Sequence, residues 1–318
     1  MPHYKEIFDT LSGTQVTHTK KRIAAGLLSL RRRLRKEVPV RTVEETLLLA
    51  SWNIREFGRN AMFGHRLDES IQYIAEIINH FDLIAVQEVK ENLADLKRLI
   101  RVLNIYYGTS KPLDARRLKE IERLSEFLAE KNARRQKDDN GEPESIVLLG
   151  DFNIFSPRDA TFRALEKNDF VVPVIGSSNL GGDKYFDQIA FHDPRHLLWP
   201  KSRDLPVKKL PRKGIFQFTG SVFRDQDTQM YSAEMREACP EKYKRAANKR
   251  AFYRKWRTYQ MSDHYPLWVE LRIDFSDPFI AVAGGLVKGR GPNAIEPAQG
   301  SASGKRRRSA SRRRGNQR

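Results

Sequence analysis

Residues 146–154 read IVLLGDFNI, an apolar run that ends in the polar side chains Asp151 and Asn153. A short apolar run of this kind predicts a buried β-strand. In α/β sheets the functional side chains lie at strand ends, because the core below is apolar and the loops above shape a pocket. We therefore expect Asp151 and Asn153 to lie at the edge of such a pocket.

Four other stretches predict strands with polar side chains at their ends or within them. They are TLLLASWNI (46–54), DLIAVQEV (82–89), KYFDQIAF (184–191) and YQMSDHYPLWVELRI (259–273). Amphipathic helices are predicted at RLDESIQYIAEIINHF (66–81) and DARRLKEIERLSEFLAEKNARR (114–135). The polar side chains that this pattern singles out are Asn53, Glu88, Asp151, Asn153, Asp187, Asp263 and His264.

These seven side chains suit metal-assisted phosphoester hydrolysis. Any one of them alone is more often a cap or a turn residue, but all seven together indicate a site. Carboxylates and amides are the hard oxygen ligands that Mg²⁺ takes, and magnesium keeps waters that can reach a phosphate. A histidine can supply or stabilise a proton at the leaving oxygen when a carboxylate orients its other ring nitrogen.

The motifs SWNIREF, LIAVQEV, LLGDFNI, FDQIAF and MSDHYPLWVEL occur in this order, and the chain thereby resembles the endonuclease/exonuclease/phosphatase superfamily. The resemblance covers about residues 46–273. It implies an α+β, DNase I-like fold, which is a four-layer sandwich of two mixed β-sheets flanked by helices. It also implies a site at one end of the sandwich.

The resemblance implies a metal site as well. Glu88 would hold Mg²⁺ (or Mn²⁺) with help from Asn53, and Asp263 would be a second carboxylate on the metal side. These roles follow from the matching motifs and not from the spacing of the residues alone.

The remaining site residues would act on water and phosphate in the same resemblance. Asp151 would position or activate the attacking water, and Asn153 would orient Asp151 and the phosphate. His264 would contact the scissile phosphate, with Asp187 hydrogen-bonded to its ring. We therefore expect the Asp187 carboxylate about 2.6 to 3.2 Å from a nitrogen of the His264 ring.

The connection between Glu88 and Asp151, which are 63 positions apart, is shorter than the resemblance implies. Within it, LKRLIRVLNIYYGTS (96–110) combines helical spacing with the strand-like sequence IYYG, and Asn104 stands where the resemblance implies a catalytic histidine. We expect the helix to end near Leu103 and a strand to begin near Ile105, with a tight turn at Asn104.

An internal deletion with its junction near 103–104 accounts for this pattern. The sandwich would then be incomplete in its middle strands, and the activity of this chain would be severely impaired. The alternative is a natural short variant with a real two-residue turn.

The chain has 318 residues, a net charge of +18 and a single cysteine, Cys239. We expect a cytoplasmic protein without stable membrane insertion, because no apolar run approaches the roughly 18 residues of a membrane helix. Three regions are predicted: a basic amphipathic helix region at 1–45, the phosphoesterase domain at 46–275, and a disordered Gly/Ser/Arg-rich basic tail at 276–318.

The positive charge favours nucleic acid as a partner, without distinguishing DNA from RNA. Arg254, Lys255, Trp256 and Arg257 combine cations with an aromatic ring, which is typical of contacts to nucleic-acid backbones and bases. The alternative is an ordinary helix with a solvated basic face and aromatic core contacts. Two other functions stay open: a phosphoesterase acting on a lipid or a small phosphoester, and a catalytically inactive nucleic-acid-binding or interaction protein.

Overall fold

The structure, a computed structural model, describes residues 16–42, 45–58, 62–107, 145–173, 175–193 and 212–273. Its helices are α1 (Val16–Glu37), α2 (Asp68–Ile78), α3 (Ala94–Tyr107), α4 (Ala160–Lys167), α5 (Ser232–Ala238), α6 (Pro240–Arg245) and α7 (Lys249–Gln260). Its strands are β1 (Thr46–Phe57), β2 (Leu83–Val89), β3 (Ile146–Asp151), β4 (Asp187–His192), β5 (Lys213–Ile215) and β6 (Leu267–Arg272). Two short 3₁₀ helices lie at Phe218–Gly220 and Asp225–Thr228.

The strands form two sheets. The first has the order β2-β1-β6-β5, with β1 parallel to β2 and antiparallel to β6. In the second, β3 pairs antiparallel with β4, and their register sets Asp151 opposite Asp187. The five predicted stretches each overlap a strand, although residues 259–260 end α7 and β5 was not predicted.

Successive residues of a strand face opposite sides of its sheet, and this alternation explains how the two sheets pack. Odd-numbered positions meet between the sheets in a core that contains Leu49, Ile189, Phe191, Leu267, Val269 and Leu271. Even-numbered positions face the helices: Trp52 joins the core of the first sheet, and Leu148 joins α4 on the second. The predicted α+β fold with two flanked sheets is therefore confirmed.

Helix α1 packs against α2 along one face. Its buried apolar residues are Ile23, Leu27, Leu30 and Leu34. Two ion pairs bind the same helices together: Arg22 to Glu69 at 2.8 Å, and Arg31 to Glu76 at 2.9 Å. Within the described ranges, no helix combines the length and the apolar composition that a membrane crossing requires.

We expect Gly26→Ala to destabilise the protein, because Gly26 lies where α1 meets Tyr73. A Cβ at this position would lie 2.3 Å from the Tyr73 hydroxyl oxygen, and Tyr73 is buried. Alanine gains about 1 kcal/mol of helix propensity, whereas overpacking a filled core costs about 1 to 3 kcal/mol. Thermal denaturation should show a lower melting temperature, and Tyr73→Phe in the same chain should recover part of the loss. A rise in melting temperature would contradict this close packing.

Helix α3 extends through Asn104 to Tyr107 without a break, so the predicted turn at Asn104 and strand from Ile105 are wrong. Leu99 and Leu103 are buried one turn apart, and this burial outweighs the local strand preference of the sequence that follows. Asn104 itself is exposed on the helix. The predicted helix at 114–135 and the basic tail lie outside the described residues, and the internal deletion stays a prediction.

Candidate active site

Three strands bring polar side chains to the same end of the two sheets. Asn53 on β1, Asp151 on β3 and Asp187 on β4 occupy odd-numbered positions, which face the space between the sheets. Asp151 and Asp187 are also direct neighbours in the β3–β4 register. The apolar core between the sheets therefore gives way to polar groups at this end.

Asn53 connects two of the predicted carboxylates. Its Nδ2 donates hydrogen bonds to Glu88 Oε1 at 3.1 Å and to Asp151 Oδ2 at 3.0 Å. Asn53 is buried, with 2% of its surface exposed, so its amide is held in place by the surrounding core. One side chain thus holds a carboxylate of the first sheet and a carboxylate of the second sheet at a fixed distance from each other.

Glu88 has a second, backbone anchor. Its Oε2 accepts a hydrogen bond from the Glu56 N–H at 2.9 Å. Both residues hold left-handed backbone conformations, with φ of 58° at Glu88 and 44° at Glu56. Such conformations are uncommon outside glycine and persist only where the surroundings enforce them.

Arg66 helps to hold the backbone at Glu56 in this conformation. Its guanidinium donates to the carbonyl oxygens of Arg55 and Glu56 and forms a 3.0 Å ion pair with Asp95 on α3. Arg66 is 3% exposed. The sequence did not indicate this residue, whose one local signal is its place two positions before the start of α2.

His264 and Asp187 form a buried pair. His264 Nδ1 lies 2.6 Å from Asp187 Oδ2, which confirms the predicted distance between these side chains. The Asp187 backbone N–H donates to Ser178 Oγ at 3.0 Å. The other ring nitrogen of His264, Nε2, is left for a contact outside the pair.

Opposing effects set the pKa of His264. Burial lowers it, but the hydrogen bond and charge of Asp187, with the charges of Asp263 and Asp151, raise it to about 9. Burial also raises the pKa of Asp187, and His264 counteracts that effect. The imidazole is therefore protonated at neutral pH. The protonated imidazole stabilises the folded protein; this contribution is complete below about pH 6.5 and is lost as the pH rises through about 9.

Ser262 links the histidine to the asparagine. Its hydroxyl donates to the Asn53 carbonyl oxygen at 2.6 Å and accepts from the His264 N–H at 2.9 Å. Trp52 Nε1 donates to the His264 carbonyl oxygen at 2.9 Å. The Asn53 and His264 groups are thus joined through side chains on β1 and on the segment before β6.

Asn153 contributes through its backbone. Its N–H donates to Asp151 Oδ1 at 2.9 Å, so that both oxygens of Asp151 accept a hydrogen bond. The Asn153 side chain is exposed, and the residue has a φ of 53°. The predicted orienting contact to Asp151 is therefore made by the main chain.

Asp263 is engaged by an arginine that the sequence analysis missed. Its Oδ2 accepts from Arg55 Nη1 at 2.8 Å, and the same nitrogen donates to Thr258 Oγ1 at 3.1 Å. Burial raises the pKa of Asp263, whereas Arg55 lowers it. An ion pair of this kind differs from the expected metal-side carboxylate, because Arg55 already neutralises the charge.

The basic segment of α7 does not present an aromatic platform. Trp256 is fully buried, so the predicted contact between its ring and nucleic acid is wrong. Arg254 and Arg257 both form ion pairs with Asp225, and the Lys255 Nζ lies 5.7 Å from the ring centre of Phe63. Aromatic core contacts beneath a basic face, the alternative interpretation, describe this helix.

The oxygen groups beside Asn53 fit a magnesium ion. Asn53 Oδ1 is buried and has no hydrogen-bond partner, while its Nδ2 holds two carboxylates. Among the described residues, no three His, Cys, Asp or Glu side chains converge as a metal-binding group. Magnesium does not require three, because it binds through one or two carboxylates and retains water.

A cleft of about 930 Å³ lies away from these groups. It is lined by the start of β1 at Thr46, by Asp82 before β2 and by Ile273 after β6, at the opposite end of the first sheet. The site groups therefore lie outside this cleft.

Comparison with known proteins identified one family. No curated protein and no solved structure matched the chain significantly. Residues 50–203 match the Endonuclease/Exonuclease/phosphatase family. The match includes Asn53, Glu88, Asp151 and Asp187, and the family generally hydrolyses phosphoester bonds. The resemblance to the endonuclease/exonuclease/phosphatase superfamily is therefore confirmed over residues 50–203, which contribute to both sheets.

Proposed function

We propose that the protein is a magnesium- or manganese-dependent phosphodiesterase that acts on nucleic acid. The observation that carries this proposal is the Asn53 amide, which joins Glu88 to Asp151 at the end of the sheets where the His264–Asp187 pair lies. The family match over residues 50–203 supports a phosphoesterase- or nuclease-type function.

Glu88 and Asn53 Oδ1 would hold the metal ion, which neutralises charge on the phosphate when it is bound. Asp263 carries weaker support as a ligand because Arg55 occupies one of its oxygens. The bond between Glu56 N–H and Glu88 Oε2 fixes the carboxylate before any ligand arrives. Pre-positioned charge of this kind needs no rearrangement during the reaction.

Asp151 positions the attacking water and accepts its proton as the water oxygen bonds to phosphorus. The hydrogen bonds from Asn53 and Asn153 hold this carboxylate in a single orientation. His264 donates a hydrogen bond from Nε2 to the phosphate as the bond from phosphorus to the leaving oxygen breaks. Asp187 orients the imidazole for that contact through Nδ1.

Nucleic acid is the proposed substrate because the chain carries a net charge of +18. Neutralising phosphates releases counterions, so binding to DNA or RNA should weaken steeply as salt is added. Hydrolysis of an oligonucleotide in Mg²⁺, and its loss with a chelator, test the proposal directly. No binding to DNA or RNA at low salt would instead favour a lipid or a small phosphoester.

One observation favours a second function, a nucleic-acid-binding protein with little or no catalysis. Asn104, at the position where the resemblance implies a catalytic histidine, is exposed on α3. We therefore expect slow turnover, and we expect little rescue by Asn104→His. Resequencing the gene across codons 95 to 110 would show whether the short connection is real.

Magnesium is expected to stabilise the purified protein. A ligand at ten times its Kd adds about 1.4 kcal/mol, which raises the melting temperature of a domain of this size by about 3 to 5 °C. Glu88→Gln should abolish the shift because it removes the charge without changing the shape. Glu91→Gln, an exposed carboxylate after β2, is the matched control and should retain it. An unchanged melting curve for the unmodified protein in millimolar metal would count against the site.

A further inference from the structure

Phe155 is an exposed aromatic side chain close to the candidate site. It follows Asn153 by two positions and is 55% exposed, and among the side chains that the structure describes it is the only exposed Phe, Tyr or Trp. Its backbone is nevertheless fixed, because Asp159 Oδ2 accepts from the N–H groups of Phe155 at 2.6 Å and Ser156 at 3.1 Å. The ring is thus held outward by an ordered turn.

Two ring contacts join Phe155 to the histidine. Its ring stands edge-on to Phe186 with the centroids 5.3 Å apart, and Phe186 stacks on His264 with the centroids 5.5 Å apart. Aromatic surface therefore continues from the group that would contact the scissile phosphate to the solvent. Single exposed apolar residues are common on proteins and need no explanation, but this one is continuous with the site.

Lys184 adds a cation to the same surface. Its Nζ lies over the Phe155 ring, 5.1 Å from the ring centre, and 3.6 Å from Asp183 Oδ2 in an ion pair at the surface. Because Phe155 remains 55% exposed with the lysine in place, these two side chains present open ring surface next to a positive charge, the combination with which proteins hold single-stranded nucleic acid. A sugar phosphate or a lipid headgroup offers no flat ring for the stacking face.

We propose that Phe155 and Lys184 form a subsite in which a nucleobase stacks beside the scissile phosphate. The inference rests on the proposed function and narrows its substrate to nucleotides. Phe155 supplies the stacking surface, whereas Lys184 exchanges its surface ion pair with Asp183 for a phosphate of the backbone. Base-containing ligands should therefore bind more tightly than backbone alone, and that preference should depend on Phe155.

Two oligonucleotides of equal length test the subsite, one with bases and one fully abasic, because both carry the same phosphate charge. Binding to the full chain is measured by fluorescence anisotropy in a chelator, so that no turnover is needed. We expect the unmodified protein to prefer the base-containing strand by about 10-fold. Phe155→Leu should remove most of that preference, and Phe155→Trp should retain it.

Two further variants separate stacking from charge and from general surface effects. Lys184→Gln should weaken binding of both strands by a similar factor and reduce the salt dependence by about one phosphate contact. Leu28→Ala, at an aliphatic residue on α1 that is 63% exposed, should leave the preference unchanged.

Equal affinity for the two strands in the unmodified protein, or a preference that survives in Phe155→Leu, would overturn the subsite. A preference that depends on Phe155 in a protein without detectable hydrolysis would support the subsite while rejecting the proposed catalytic function. The binding measurement therefore tests the subsite, and the hydrolysis measurement independently tests the proposed catalytic function.

Discussion

Magnesium-dependent hydrolysis is expected to fall by about 10²- to 10⁴-fold when Asp151 is replaced by Asn. The amide keeps the shape of the carboxylate but cannot accept the proton of the attacking water. It also has only one acceptor oxygen, whereas Asp151 accepts hydrogen bonds from Asn53 and Asn153 at separate oxygens. Steady-state rates on an oligonucleotide and on a small phosphodiester measure the effect.

Asp169→Asn is the matched control for this substitution. Asp169 is exposed and has a φ of 59°, a conformation that asparagine tolerates well. The hydrolysis rate of the Asp169→Asn variant should therefore equal that of the unmodified protein. Equal rates for Asp151→Asn and the unmodified protein would remove Asp151 from the proposed mechanism. Absence of magnesium-dependent turnover in the unmodified protein would favour the binding function.

Asp95→Ala is expected to cost about 3 to 5 kcal/mol of stability, because it leaves a buried arginine without its partner. Arg66 and Asp95 are 3% exposed each and lie 3.0 Å apart. Burial lowers the pKa of Arg66, and the charge of Asp95 opposes that effect. Thermal denaturation should show a melting temperature lower by roughly 6 to 20 °C.

Asp68→Ala tests whether the loss of stability in Asp95→Ala arises from the burial of the ion pair. Asp68 pairs with Arg98 at 2.6 Å, but its side chain is 79% exposed, and exposed pairs contribute about 0 to 1 kcal/mol. Similar losses for the two variants would contradict a special role for the Arg66–Asp95 pair. Arg66→Met combined with Asp95→Leu should recover much of the stability, because no buried charge then remains.

The polar residues at the strand ends could be predicted from the sequence, because each of them lies at the end of an apolar run. Asn53, Glu88 and Asp151 are joined by hydrogen bonds, and the pair of Asp187 and His264 lies at the predicted distance. Residues 50–203 also match the family that the motifs indicated. Periodicity and motif order were sufficient for this part of the fold.

Residues that act through distant contacts escaped prediction. Arg66 binds Asp95 on α3, Arg55 binds Asp263 208 positions away, and Ser262 bridges backbone groups of Asn53 and His264. A single charged or hydroxyl residue has no periodic signal in the sequence. Its role appears only when the chain brings its partner close.

Two errors had a common physical origin. The sequence around Asn104 has local strand preference, and Trp256 lies among cations that suit nucleic acid. Burial decided both cases: Leu103 holds α3 in the core, and the Trp256 ring is enclosed by its own domain. Tertiary packing overrides local preference where an apolar face is available.

Selection for stability would act against the candidate site. Glu56 and Glu88 both hold left-handed conformations, and for such residues these conformations cost on the order of 1 to 3 kcal/mol. Glycine would relieve that cost at each position and would remove the Glu88 carboxylate that is proposed to bind metal. A library screened only for thermal stability should therefore accumulate glycine at Glu88, and the proteins that melt at the highest temperatures should have lost their response to magnesium.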